Sequence, residues 1–269
     1  MRLVMSGLAN WQQWLWALQI CVQISLCYLI IRRSAYKHLH FFIIYLVSDL
    51  ARSGMIFESY RLWGFASWTS YIVVWSTQAV VVVARGLAVA ELCKNCLLAY
   101  EGIWALGWRI LAGVGAVVVL YAALAPLAVS KKTFWVGVAA MVLAADRGLE
   151  LALVAVLLSL LIFVRYYGVA LNRTHKALAV GFCFFSCVFV LNDTILSVFL
   201  KRYAAVWNGI QMSAYLVVLV AWLQAFYKLV PVQSPVPVLI PQTLYQELAP
   251  RFNYRLRLLN DRLMGMLKS

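Results

Sequence analysis

The sequence predicts an all-α fold: a polytopic bundle of seven transmembrane helices with a short cytoplasmic amphipathic tail helix. Three observations lead there. Of 269 residues, 65% are hydrophobic and 12% charged, with a mean hydropathy of +0.88, whereas soluble domains carry roughly 25% charged residues. Seven apolar stretches, near 11–31, 40–57, 68–90, 108–129, 146–165, 177–200 and 208–228, approach or exceed the about 20 residues a helix needs to cross a bilayer. Runs such as Leu149 to Val164 lack the alternation of barrel strands, and in lipid only helices and closed barrels satisfy the backbone. The expected organisation is a transmembrane domain over 1–230, a proline-rich linker over 231–241 and a basic tail over 242–269.

Helix one carries Trp11, Trp14 and Trp16 at one end and Tyr28 with Tyr36 at the other, the aromatic anchors of two interfaces. Its apolar core precedes the basic pair Arg32-Arg33 and no small-residue cleavage site follows, so it is expected to be retained rather than removed as a signal. Helix two places Asp49 and Arg52 three residues apart on one face. Helix three holds Gln78 and Arg85 and ends near Cys93-Lys94-Asn95-Cys96. Tyr100, Trp104 and Trp108 recur every four residues, one helical face lying along the interface and feeding helix four. Phe134 to Ala145 either extends helix five into an overlong, tilted span or forms an external cap.

Helix five is expected to open with Asp146, Arg147 and Glu150, the carboxylates at i and i+4, and helix six carries Asn192-Asp193. After Lys228, Pro231, Pro235, Pro237 and Pro241 stop any helix and favour an extended linker. Phe252, Leu256, Leu259, Leu263 and Met266 then follow at spacings of 4, 3, 4 and 3, a basic amphipathic helix. Its two readings are a surface helix on anionic lipid and a helix that docks a cytoplasmic protein or dimerises the chain.

A net charge of +14 would suggest nucleic acid in a soluble protein; in a bundle, placement decides, and no nucleic-acid partner is expected. One side carries Arg32, Arg33, Lys37, Lys94, Arg109, Arg165, Arg173, Lys176, Lys228, Arg251, Arg255, Arg257, Arg262 and Lys268; the other carries Arg2, Arg61, Lys131, Lys132, Lys201 and Arg202. This asymmetry puts the N-terminus outside and the C-terminus in the cytoplasm.

Cys21, Cys27, Cys183 and Cys187 fall inside apolar helices and read as packing residues. Cys93 and Cys96 with Lys94 also admit a redox reading. A zinc site needs four ligands, and His38, His40 and His175 are expected in separate solvated loops, so no metal is assigned. No cofactor is assigned either: a retinal protein needs a lysine midway along its last helix and a haem site needs buried histidines. No catalytic residue is assigned, because neither a phosphate-binding glycine loop nor a nucleophile motif occurs.

Ionisable groups inside spans are costly and generally face a partner or a cavity. Asp49, Arg52, Gln78, Asp146, Arg147, Glu150 and Asp193 are the candidate ligand-binding cluster, an outward-facing polar pocket lined by helices two, three, five and six. A purely structural ion-pair network is the competing reading. Arg85 and Glu91 are expected near the inner interface, where long side chains snorkel to water.

Several segments resemble a group of uncharacterised bacterial seven-helix membrane proteins: His40-Phe41-Phe42 through Tyr45-Leu46, Trp75 with Gln78 and Glu91, Asp146-Arg147, Arg165-Tyr166-Tyr167-Gly168, and Ala214-Tyr215 with Trp222. The likeness covers roughly residues 35 to 231. This chain departs from the group at Gln78, where members more often have Glu, and at Glu150, where members have Arg. The resemblance implies a seven-helix fold and a bacterial inner membrane, and no particular activity.

The leading functional expectation is a sensor or regulatory membrane protein, with the outer pocket coupled to the tail. A small-solute transporter or channel is the alternative, against which the absence of evident inverted halves weighs. A membrane enzyme acting on lipid would need carboxylates or histidines near an interface, for which Asp146 and Glu150 are the only plausible pair. Expected partners are the lipid bilayer, anionic lipid or a cytoplasmic protein at the tail, and a second copy of the chain.

Overall fold

The computed structural model describes residues 10–35, 38–64, 67–97, 101–128, 134–167, 171–198, 204–228 and 242–268. Among these the chain is all-α: α1 (Asn10–Arg32), α2 (His40–Trp63), α3 (Trp68–Leu97), α4 (Glu101–Leu124), α5 (Phe134–Tyr167), α6 (Arg173–Val198), α7 (Ala204–Tyr227) and α8 (Gln242–Lys268). Seven of the helices, α1 to α7, are long and apolar enough to span a bilayer, and the chain is a multi-pass membrane protein. The linker expected over 231–241 lies outside the described residues.

Six of the spans close into a ring. α1 packs against α2 and α7, α2 against α3, α3 against α5, α5 against α6, and α6 against α7. α4 stands outside it, packed chiefly on α5. Its side chains stay largely exposed, as at Val117, Val119 and Leu120, which in a membrane is contact with lipid.

Short connections make odd- and even-numbered spans alternate in direction. One end of the ring therefore gathers the start of α1, α3 and α7 and the finish of α2 and α6; it is called here the leading end. Gly64 caps α2 there with φ +81, a left-handed conformation that glycine adopts without a Cβ clash, and its N–H bonds to the Tyr60 carbonyl at 3.1 Å.

The opposite half is aromatic and dry. Phe42, Phe182, Trp222 and Phe226 are all buried, with ring centroids 5.2 Å apart for Phe42–Trp222, 4.8 Å for Phe182–Trp222 and 6.1 Å for Phe42–Phe226. The Trp222 indole donates to the Ala177 carbonyl at 3.2 Å. It lies so close to Gly181 that any Cβ at that position would overlap it, so this glycine sets the α6–α7 approach.

Of the two readings of Phe134 to Ala145, the overlong helix holds: α5 is one helix of 34 residues, and this segment is its extension and not a cap. At 1.5 Å per residue it measures roughly 51 Å, against a hydrocarbon core of about 30 Å. Asp146, Arg147 and Glu150 consequently lie near its middle rather than at its opening. α3 likewise runs on through Cys93 and Cys96, which are buried free thiols in the core. His40 begins α2 and His175 lies within α6, so neither is a loop residue.

The tail helix α8 packs against α4. Leu256 is buried, with Leu259 and Leu263 partly buried against the same core, while Met266 is exposed. The side chain of Phe252 lies outside the described residues. The Leu256, Leu259 and Leu263 part of the seam thus serves a contact within the chain, an outcome that neither tail reading contained.

Candidate functional site

A cavity of about 450 Å³ opens among α1, α2, α3, α6 and α7. Its lining includes Trp16, Gln19, Asp49, Arg52, Gln78, Arg85, Asn208, Gln211 and Tyr215. Trp16, Gln19, Arg52, Gln78, Asn208 and Gln211 lie toward the leading end, with Tyr215 and Asp49 near mid-height and Arg85 below them.

Helix α2 supplies the central charge pair. Arg52 Nη1 lies 3.8 Å from Asp49 Oδ1, with both side chains only partly buried. Asp49 Oδ2 accepts the Tyr215 hydroxyl at 2.8 Å and Gln23 Nε2 at 3.3 Å, so one carboxylate ties α2 to α7 and α1. Gln23 Nε2 also donates to the Leu46 carbonyl at 2.8 Å, and Asn192 Nδ2 donates to Gln211 Oε1 at 2.7 Å between α6 and α7.

Arg85 forms the floor. It is buried on α3, with its guanidinium carbon 5.8 Å from the ring centres of both Tyr45 and Phe185. Behind it, away from the cavity, lies α5. Arg85 Nη1 is 3.7 Å from Asp146 Oδ1 and also pairs with Glu150 Oε1. Gln78 Nε2 donates to Asp146 Oδ2 at 2.9 Å. Glu150 is fully buried and Asp146 nearly so.

The seven sequence candidates therefore divide. Asp49, Arg52 and Gln78 line the cavity. Asp146 and Glu150 reach it only through Arg85 and Gln78, so helix five does not line the pocket and helices one and seven do. Arg147 lines a separate, mainly apolar groove among α4, α5 and α6. Asp193 belongs to α6, and its side chain lies outside the described residues.

Arg85 was expected to snorkel at the inner interface. Because α3 continues to Leu97, Arg85 sits deep in the bundle. Glu91 was expected to snorkel as well; instead it accepts the backbone N–H groups of His40, Phe41 and Phe42 at 2.8, 2.9 and 3.1 Å. It places a negative charge on the positive end of the α2 dipole. Among the described residues no group of three or more His, Cys, Asp or Glu could hold a metal ion.

The cavity presents two guanidinium groups, Arg52 and Arg85, and one carboxylate, Asp49. Arg52 Nε and Arg85 Nε are buried and have no hydrogen-bond acceptor among the described residues. Buried donors without acceptors cost about 1–3 kcal/mol each, more when charged, and a carboxylate presents two acceptors in the geometry that a guanidinium prefers. No protein-family model, curated protein or solved structure matches the chain. Beyond membrane residence, its function rests on this geometry.

Proposed function

We propose that the chain is a sensor or regulatory protein of a bacterial inner membrane, akin to the seven-helix group its motifs resemble, and that its pocket binds a small carboxylate-bearing solute. The observation that carries this reading is the pair of guanidinium groups, Arg52 and Arg85, lining one cavity with buried Nε donors left over. Asp49, already engaged by Tyr215 and Gln23, orients Arg52 rather than cancelling the appeal of the site to an anion. The charge asymmetry of the loops supports an outward-facing pocket and a cytoplasmic tail. The aromatic layer of Phe42, Phe182, Trp222 and Phe226 beneath it favours binding over open conduction. On α8 the exposed Arg255, Arg257 and Arg262 suit anionic lipid or an acidic cytoplasmic protein.

The test is thermal melting of the detergent-purified protein with acetate, succinate, citrate and glutamate, in wild type and in Arg52→Gln. A ligand that binds only the folded state raises the melting temperature. At least one carboxylate is expected to do so in wild type and to lose the effect in the variant. No shift with any of the four, or equal shifts in both proteins, would overturn the proposal.

A further inference from the structure

Behind the pocket the charge count is uneven. Asp146 and Glu150 stand at i and i+4 on α5, on one helical face, where like charges repel. Both direct an oxygen at the same nitrogen, Arg85 Nη1. Among the described residues, Arg85 is the cation paired with both acids. From α3 come Arg85 and the neutral Gln78, and from α4 the nearby polar group is Tyr121. α6, also packed on α5, buries Thr174, Cys183, Ser186 and Asn192, none of them a cation, and the side chain of Asp193 lies outside the described residues. On its pocket side the Arg85 guanidinium carbon lies 5.8 Å from the Tyr45 ring centre, and Asp49 and Tyr215 line the same cavity. Arg147 adjoins Asp146 in sequence, but its side chain lines the groove toward α4 and α6 and is itself engaged.

Hydrogen-bond accounting gives an independent indication. Of the four carboxylate oxygens, Asp146 Oδ2 accepts from Gln78 and Glu150 Oε1 meets Arg85 Nη1, while Asp146 Oδ1, 3.7 Å from that same nitrogen, and Glu150 Oε2 are buried without a hydrogen-bond donor among the described residues. Glu150 is completely inaccessible. Two ionised carboxylates sharing one site at such depth cannot both stay charged cheaply. A proton on either acid removes the excess charge and turns an acceptor into the missing donor.

We propose that Asp146 and Glu150 form an intramembrane proton-binding site that holds one proton between the two carboxyl groups, with Arg85 as counter-ion to the remaining charge. Proton loading converts one carboxylate to a carboxylic acid and nothing else. Because Arg85 faces the acid pair on one side and the cavity on the other, loading or unloading that proton changes the field inside the pocket. The assignment does not depend on which solute the pocket takes.

Infrared spectroscopy of the full chain in lipid at neutral pH tests it. Wild type is expected to show the carbonyl-stretch band of a buried carboxylic acid, exchanging slowly in deuterated water. Glu150→Gln and Asp146→Asn should each abolish the band, because a lone remaining acid pairs with Arg85 as carboxylate. Each single variant should keep close to wild-type folded yield, while the double variant strands Arg85 and should lose roughly tenfold or more. Absence of the band in wild type, its persistence in both single variants, or single-variant losses as deep as that of the double variant would each overturn the proposal.

Discussion

Two charge clusters meet near the pocket, one on α2 lining the cavity and one between α3 and α5 behind it, and they are built differently. The Asp49–Arg52 pair is spaced 3.8 Å with side chains 14% and 29% exposed, whereas Arg85, Asp146 and Glu150 are 7%, 8% and 0% exposed. The first sits on one helix and reaches water through a cavity. The second joins two helices and is almost wholly buried. Interaction energies between charges scale inversely with the local dielectric. The dry cluster should therefore govern folding, and the wet pair should govern what the pocket binds.

The largest expected effect is at the dry cluster. Arg85→Ala leaves Asp146 and Glu150 facing each other without a counter-ion, and breaking a buried pair on one side costs about 3–5 kcal/mol. The yield of monodisperse protein after detergent extraction should fall sharply, with Arg85→Lys recovering part of it. Wild-type yield from Arg85→Ala would show that the cluster is not what holds α3 to α5.

The wet pair should behave more mildly and in a coupled manner. Asp49→Ala and Arg52→Ala are each expected to lower folded yield, and the double substitution to be milder than their sum by roughly 0.5–3 kcal/mol, the range for residues in contact. Fluorescence-detected melting of the four proteins measures the coupling; strictly additive losses would mean the pair is independent. The loss from Asp49→Ala should exceed that from Arg52→Ala, because Asp49 also accepts from Tyr215 and Gln23.

A third acid sharpens the contrast, since its partners are backbone rather than side chains. Glu91→Gln keeps the shape but removes the charge from the start of α2, at an expected cost of about 0.3–1 kcal/mol. Thermal melting at low and high ionic strength should show the difference from wild type shrinking with salt. A loss as large as that for Arg85→Ala would mean Glu91 has a role beyond capping. The smallest effect is expected for Glu58→Ala, whose 3.6 Å pair with Arg61 is more than half exposed on both sides; such pairs contribute about 0–1 kcal/mol.

Much of this architecture is readable from the sequence, because hydropathy reports directly on a bilayer-sized apolar run. Seven spans, the identity of the costly intramembrane residues and the position of the tail helix follow from that rule. Depth does not. A polar run such as Glu91-Leu92-Cys93-Lys94 looks like a helix end, yet α3 passes through it because Glu91 finds backbone donors on α2; that misplacement moved Arg85 from the core to the interface. The expected opening of helix five at Asp146 failed for a related reason. Charged residues look like a terminus unless a cation on another helix receives them, and a single sequence does not display which helices meet. Tyr45, Gln23 and Tyr215 were not assigned to the pocket, although the family resemblance includes the two tyrosines, because neutral polar residues barely dent a hydropathy profile. The tail seam was visible, but its target on α4 was not, since partner choice depends on which lipid-facing surface the ring leaves uncovered.

The most direct test of the central claim, a pocket entered from the leading end and sealed below, is thiol labelling of Ser53→Cys with a membrane-impermeant reagent. Ser53 lines the cavity beside Arg52. The reagent is applied separately to each face of sealed vesicles of known orientation, with the unmodified protein as background for its native cysteines. Labelling above background from the face that bears the α1 N-terminus, and not from the face that bears α8, is the predicted result. Labelling from the α8 face, or equally from both, would contradict it and make the cavity part of a through-path.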